Sequence, residues 1–331
     1  MTATGRTRVF AGIDEAGLGP LLGPMTLGWS AFRVPRGRVE LWGRLERVVA
    51  RDPCEDRERL VVADSKRVFT RNPRGTRRLE TTALAFLAQL DPEQRWPRSA
   101  DELFELAPPA LRPPRAELDR HPWYRLLPAR LPEHQEEERL RIWAHRLGRE
   151  LEQQGVSLVD AGVRPVPAGE LNASFRETEN KAATQWRVVA GIVQSLWTRF
   201  GREGLTLFVD RLGGRRHYRP LLEALFPSAR LETRREGDSY GEYRVLGEER
   251  RMRIAFAERG EERSFSVALA SCLAKYAREL SMDAFNRFFG AIQPGLRPTA
   301  GYTTDGRRWL EEARPALENT VLEPGVLIRE R

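Results

Sequence analysis

Val9-Phe10-Ala11-Gly12-Ile13-Asp14-Glu15-Ala16-Gly17-Leu18-Gly19-Pro20 drives an apolar strand into two adjacent carboxylates and then into a glycine-rich turn. Strand neighbours point to opposite faces, so Asp14 and Glu15 cannot lie side by side on one face. At the strand tip, where the chain bends, both can reach one cation. Gly17 and Gly19 let backbone come close to a ligand. A hairpin with a solvated acidic turn is the alternative while the stretch is taken alone.

Working outward, Met25 to Val34 alternates Met25, Leu27, Trp29 and Ala31 with other neighbours, which predicts a second strand paired antiparallel with the first. A helix is expected around Arg38 to Ala50, and Val61-Val62-Ala63-Asp64-Ser65-Lys66 ends another short apolar run in polar groups. Prolines recur from Asp91 to Pro132, which rules out long helices and central strands and marks an insertion. Glu133 to Gln154 carries Leu140, Trp143, Leu147 and Leu151 at helical spacing. Lys181 to Phe200 reads as a helix with Asn180 as N-cap and a stripe of Trp186, Val189, Val193, Leu196 and Phe200.

Leu205 to Asp210 then reads as a buried central strand ending in a carboxylate. A helix over Tyr218 to Phe226 and a strand over Ala229 to Arg235 make a right-handed crossover into Gly237-Asp238-Ser239. Glu242 to Gly247 and Arg251 to Ala257 form a hairpin, and Ser264 to Phe289 a long helix whose small first residues suit close packing on a sheet.

Three apolar runs therefore end at or before acids: Asp14-Glu15, Asp210 and Asp238. In an α/β sheet the ends of parallel strands collect at one edge, where ligands bind. Carboxylates converging there repel unless a cation neutralises them, which points to a divalent metal. Two metals about 3.5–4 Å apart would clamp an in-line phosphoryl transfer. Taken singly, Asp210 and Asp238 also fit ordinary loop starts. Ser271, Lys275 and Glu279 recur every fourth residue and share one helix face. That face could bind phosphate or hold a Lys275–Glu279 ion pair.

Composition narrows the class. The 331 residues allow one large domain or one domain with a sizeable insertion. Two cysteines, Cys54 and Cys272, and four histidines without ligand spacing exclude a disulfide scaffold or a structural zinc site. A metal would be oxygen-bound, hence Mg²⁺ or Mn²⁺. No apolar run has the length of a membrane span, and the start lacks a signal-peptide pattern, so a cytoplasmic protein without a membrane partner is expected. A net charge of +8 and a pI near 10.0 favour a polyanionic partner. Lys66, Lys181 and Lys275 are the only lysines beside 52 arginines. If lysine is retained where a compact ammonium is needed, Lys181 lies near the carboxylate edge.

The stretch from Gly12 to Pro24 resembles the opening motif of the ribonuclease HII (type 2 ribonuclease H) family, in which Gly-Arg-Gly follows Asp-Glu-Ala. Asp64-Ser65-Lys66 is similar to that family's Asp-Ser-Lys motif, and Val209-Asp210 to its third-carboxylate strand. Ala270-Ser271-Cys272-Leu273-Ala274-Lys275 resembles its Ala-Ser-Ile-Leu-Ala-Lys helix, and Gly301-Tyr302-Thr303-Thr304 its late Gly-Tyr segment. The motifs keep the family's order over roughly half of the chain.

The resemblance implies an α/β ribonuclease H-like fold, a central mixed sheet flanked by helices, carrying insertions. The catalytic domain would span 1–305, interrupted by a Pro/Arg-rich and helical insertion at about 70–155, with a C-terminal helix and tail over 306–331. It implies hydrolysis of RNA in RNA:DNA hybrids, or of ribonucleotides embedded in duplex DNA; a monomer is expected. Asp14, Glu15, Asp210 and a fourth acid would hold two metals, one activating water and the other stabilising the leaving 3′ oxygen. Ser65, Lys66 and Lys275 would touch phosphates, Gly17 and Gly19 would offer backbone groups to the ribose 2′-OH, and Tyr302 would stack on the adjoining deoxyribose. The 2′-OH separates RNA from DNA.

Two departures follow. Leu18 stands at the family's arginine, so junction recognition loses a contact. The fourth acid is Asp238 counting forward from Asp210, or Glu261 counting back from the Ala270–Lys275 helix; Asp238 is favoured because it directly follows a strand. Leu18 also leaves open a nucleic-acid-binding homologue of weak or no activity, and fold alone leaves open a related nuclease with another substrate.

Overall fold

The computed structural model describes residues 7–35 and 40–330. Strands β1 (Thr7–Ala16), β2 (Met25–Pro35), β5 (Ser157–Val166), β6 (Leu205–Asp210), β7 (Arg230–Arg235), β8 (Tyr240–Leu246) and β9 (Arg251–Ala257) build a seven-stranded sheet in the order β5-β2-β1-β6-β9-β8-β7; β3 (Val49–Ala50) and β4 (Leu60–Val61) pair separately. The pairs β1–β2, β2–β5, β8–β9 and β7–β8 are antiparallel, while β1–β6 and β6–β9 are parallel. This is the expected α/β architecture with a central mixed sheet flanked by helices.

The sheet's two faces follow from the alternation in β1. Val9, Ala11 and Ile13 join Leu27, Trp29, Leu207 and Val209 in one core, covered by Val189, Ile192, Val193 and Leu196 of the helix Lys181–Phe200. Asn180 caps that helix, accepting from the Ala182 and Ala183 amides. On the opposite face the long helix Phe265–Ile292 lies close, because Gly12 and Gly28 offer no side chain. A Cβ on Gly12 would stand 2.2 Å from the Val267 nitrogen, and one on Gly28 2.2 Å from the Ala270 oxygen. Ser30 Oγ donates to the Ser266 carbonyl at 2.9 Å and fixes the helix along its axis.

Several elements differ from the sequence reading. The helix expected at 38–50 shrinks to Leu41–Arg44, with Arg38 and Val39 outside the described residues; a turn over 45–48 then leads into the short strand Val49–Ala50. β5 was not expected; the region read as a Pro/Arg-rich and helical insertion holds the helix Pro73–Leu87. From 91 to 132 there are only short helices and turns, such as Ala100–Glu105 and Arg115–Asp119. Buried Glu80 ties this region down, accepting from the amides of Glu133, His134 and Gln135 and from the Tyr276 hydroxyl. The C-terminal segment returns to the front of the molecule, where Leu22 and Ile328 form a bridge. Among the described residues no helix is long and apolar enough to cross a membrane.

Candidate metal centre and its surroundings

β1 and β6 run parallel with Ile13 opposite Val209, so the next residue on each strand is a carboxylate, Asp14 and Asp210. Adjacent strands lie about 4.8 Å apart and residues in register point to the same face. Glu15 reaches the same point from the strand tip. One carboxylate oxygen from each of Asp14, Glu15 and Asp210 falls within 4.8 Å of the others. An all-oxygen donor set at this separation suits a hard divalent cation.

Electrostatics point the same way. Burial first, then the Glu15 and Asp210 charges, push the Asp14 carboxyl well above its ordinary range, against hydrogen bonds from Ser271 and the Glu15 amide. Burial and the Asp210 charge raise Glu15 to about 8, with Lys66 pulling the other way. Asp210 is raised by burial, opposed by the amides of Gly260 and Arg211. Glu15 and Asp210 keep part of their surface open to solvent, which moderates the energetic size of these effects. Without a cation, the cluster resists full ionisation.

The two candidates for a fourth acid separate clearly. Glu261 follows Gly260, whose amide donates to Asp210 Oδ1 at 2.9 Å. Its carboxyl is raised by burial and by the charges of Asp210 and Asp64, and its own charge helps raise Glu15. Asp238 is elsewhere. Its side chain is 84% exposed and pairs with Arg216 at 3.0 Å, while Arg211 bonds its carbonyl. β7, which precedes it, is separated from β6 by both β9 and β8, roughly 14 Å across the sheet. Asp238 therefore turns its carboxylate to Arg216 and solvent, whereas Glu261 lies within electrostatic reach of Asp210 and Glu15.

Ser65 and Lys66 open the short helix Ser65–Val68, which Asp64 caps by accepting from the Lys66 amide at 2.9 Å. Ser65 and Ser271 hydroxyls share a 3.0 Å hydrogen bond beside Asp14. Lys66 is exposed. Lys275, by contrast, makes the ion pair, 2.5 Å from Glu279, with its ammonium 4.5 Å from the Phe69 ring centre. The start of the Lys181 helix adjoins the loop after Asp210: Ala182 Cβ is 3.7 Å from the Cβ position of Gly213.

The glycine turn is clamped from behind. Gly17 has φ +82°, and a Cβ there would meet Arg278 Nε at 2.2 Å. Gly19 faces open space, with nothing within 4 Å of its Cβ position. Leu18 packs with Met25, Val166 and Leu171, so its side chain turns into the protein. The Gly301 carbonyl accepts from the Leu21 and Leu22 amides at 2.7 and 3.1 Å, and thereby docks the loop bearing Tyr302, which is 47% exposed.

Arg329 completes the clamp, donating to the Gly17 and Leu18 carbonyls, both at 2.6 Å. Neither Arg278 nor Arg329 was legible as a site residue, since nothing local marks one arginine among so many. Arg329→Ala is expected to lower stability by about 3–6 kcal/mol, the size of two charge-assisted hydrogen bonds. Hydrogen exchange of the 17–22 amides should quicken with it; unchanged exchange there would refute the clamp.

No family model matches the chain, and no curated protein does. Among solved structures it is similar to RNase HII of Archaeoglobus fulgidus, from its complex with PCNA, at 14% identity over 98% of this chain and 94% of that one, TM-score 0.42. It is similar to ribonuclease H2 of Pyrococcus horikoshii at 16% identity over 96% and 92%, TM-score 0.39. A third is Bst-RNase HIII in complex with Mn²⁺, at 13% identity over 94% and 70%, TM-score 0.33. All three carry ribonuclease H names.

Proposed function

We propose that the protein is a divalent-metal-dependent endonuclease that hydrolyses RNA in RNA:DNA hybrids, or ribonucleotides embedded in duplex DNA. The observation that carries this is the clustering of Asp14 and Asp210, each one residue beyond the Ile13–Val209 pair of the parallel strands, with Glu15 at the same tip. Asp14, Glu15, Asp210 and Glu261 are the residues that would hold Mg²⁺ or Mn²⁺. Such ions, when bound, supply water activation and neutralise charge on a phosphoryl group.

The chain's own residues do the rest. Exposed Lys66 offers an ammonium to a phosphate next to the acids, and Ser65, held by Ser271, lies at the same helix start. The open side of Gly19 lets backbone approach a ribose, and half-exposed Tyr302 offers a ring to the neighbouring sugar. With Leu18 turned inward, selectivity for the 2′-OH falls to backbone groups of the turn. The catalytic domain in this reading is 1–305 with its insertion at about 70–155, the tail being 306–331, in a cytoplasmic monomer.

The test compares a duplex with one ribonucleotide, a long hybrid and an all-DNA duplex, each with Mg²⁺, Mn²⁺ or chelator. Nicking confined to the ribonucleotide-containing duplexes and dependent on the ion is the expected result. The apolar seat of Leu18 favours one rival, a binding protein without turnover. Tight hybrid binding with no cleavage under either ion would establish that rival and sink the nuclease.

A further inference from the structure

We propose that an arginine-lined cleft between the helices Pro73–Leu87 and Glu137–Gln153, outside the acid cluster, grips the phosphates of a nucleic-acid strand. The cleft encloses about 330 Å³ and is lined by Arg57, Arg59, Arg74, Arg77, Arg78 and Arg139, with Asp56 as the sole carboxylate among its lining residues. Its floor includes Leu60 and Val61 of β4.

Not every arginine there is available. Arg78 is buried, salt-bridged to Asp56 at 3.1 Å and donating to the Val68 carbonyl at 2.6 Å. Arg74 shares Asp56 at 2.5 Å, and Arg59 pairs with Glu55. These three build the wall. Arg77 spends one N–H on the His134 carbonyl. Arg57 and Arg139 are exposed, and their guanidinium groups make no ion pair or hydrogen bond with another described residue. Cations left unpaired on one concave wall concentrate positive potential there. Planar guanidinium forks match phosphate oxygens. Contacts of this kind hold a backbone without reading bases.

Placement favours a polymer over a free anion, and this part rests on the nuclease reading. Val61 in the floor and Asp64 beside the acids are three residues apart, at most about 11 Å of chain. Along a duplex axis that length spans about three phosphates of one strand, at about 3.4 Å of axial rise each. A strand leaving the acid edge past Lys66 would run toward the cleft.

The experiment measures binding of a fluorescently labelled RNA:DNA hybrid, in chelator, across a salt series, for the wild type and for Arg57→Ala/Arg139→Ala. The slope of log K against log salt should shrink by about 2 for two lost phosphate contacts, with hybrid and all-DNA duplex weakened alike. Both side chains are exposed, so the melting temperature should not change. An unchanged slope overturns the proposal. A melting shift produced by inorganic phosphate in the wild type and lost in the variant, with the slope unchanged, makes the cleft a small-anion pocket and overturns it too. Because the readout needs no turnover, a failed cleavage assay leaves this result standing, and Asp14→Asn should keep the wild-type slope.

Discussion

Asp14→Asn should abolish ion-dependent nicking while making the metal-free protein more stable. Removing an outer partner of a metal site costs about 10–100-fold; Asp14 is itself a donor at the centre of the cluster, so the loss should exceed about a hundredfold. The amide keeps an oxygen to accept from the Glu15 amide, at 2.8 Å in the wild type, and the backbone has no reason to move. Wild-type cutting by this variant would end the assignment.

The stability half follows from the raised carboxyls. Glu15 titrates near 8 in the folded chain against an ordinary 4.5, so between these values the native state holds the proton that the unfolded state has lost. Stability then falls as pH rises, by at most about 1.4 kcal/mol per unit for one group, and the loss is complete above pH 8. Asp14 and Asp210 shift in the same direction. Metal-free protein should therefore melt lower at pH 8.5 than at pH 6. Asp14→Asn removes one buried charge and its repulsion, so it should flatten that slope and gain several degrees at the alkaline end. Added Mg²⁺ or Mn²⁺ should restore wild-type stability mainly at high pH. A pH-independent melting point would contradict the clustering of these acids.

Much of the acid edge was legible because it is written in local pattern. Apolar runs ending in Asp14-Glu15 and Asp210 predict strand ends, and the parallel register brings those ends together. The Asn180-capped helix was equally local. β5 escaped because its sequence, SLVDAGVRPV, contains Asp160, Arg164 and Pro165. The fold hides that polarity by pairing Asp160 with Arg199 at 2.5 Å and Arg164 with Glu170 at 2.7 Å, partners far off or out of period in the sequence. Asp238 shows the opposite case. Its strand ends as the others do, but strand order, which no local pattern encodes, sets β9 and β8 between that strand and β6, and its carboxylate pairs with Arg216. Arg329 is a contact across nearly the whole chain and left no trace in sequence.

Gly12→Ala should be the most damaging small substitution in the fold, and it tests how the site is assembled. The new methyl would sit 2.2 Å from the Val267 nitrogen and 2.3 Å from the Ser266 carbonyl carbon. These are backbone atoms of the long helix, which no rotamer change can clear. Ordinary contact needs about 3.5 Å, so strand and helix must part by roughly 1 Å. That strains the Ser30–Ser266 bond and moves Ser271 relative to Asp14 and Ser65. Overpacking of this kind costs about 1–3 kcal/mol and sometimes more. A 1 Å misplacement at a reacting centre costs about a hundredfold in rate. Gly19→Ala is the matched control: its methyl enters open space and its φ is not in the left-handed region, so stability should hold within about 0.5 kcal/mol. Denaturant titration and the nicking assay on both variants would show whether the helix's distance from the sheet sets the site. Equal behaviour of the two alanines would show that it does not.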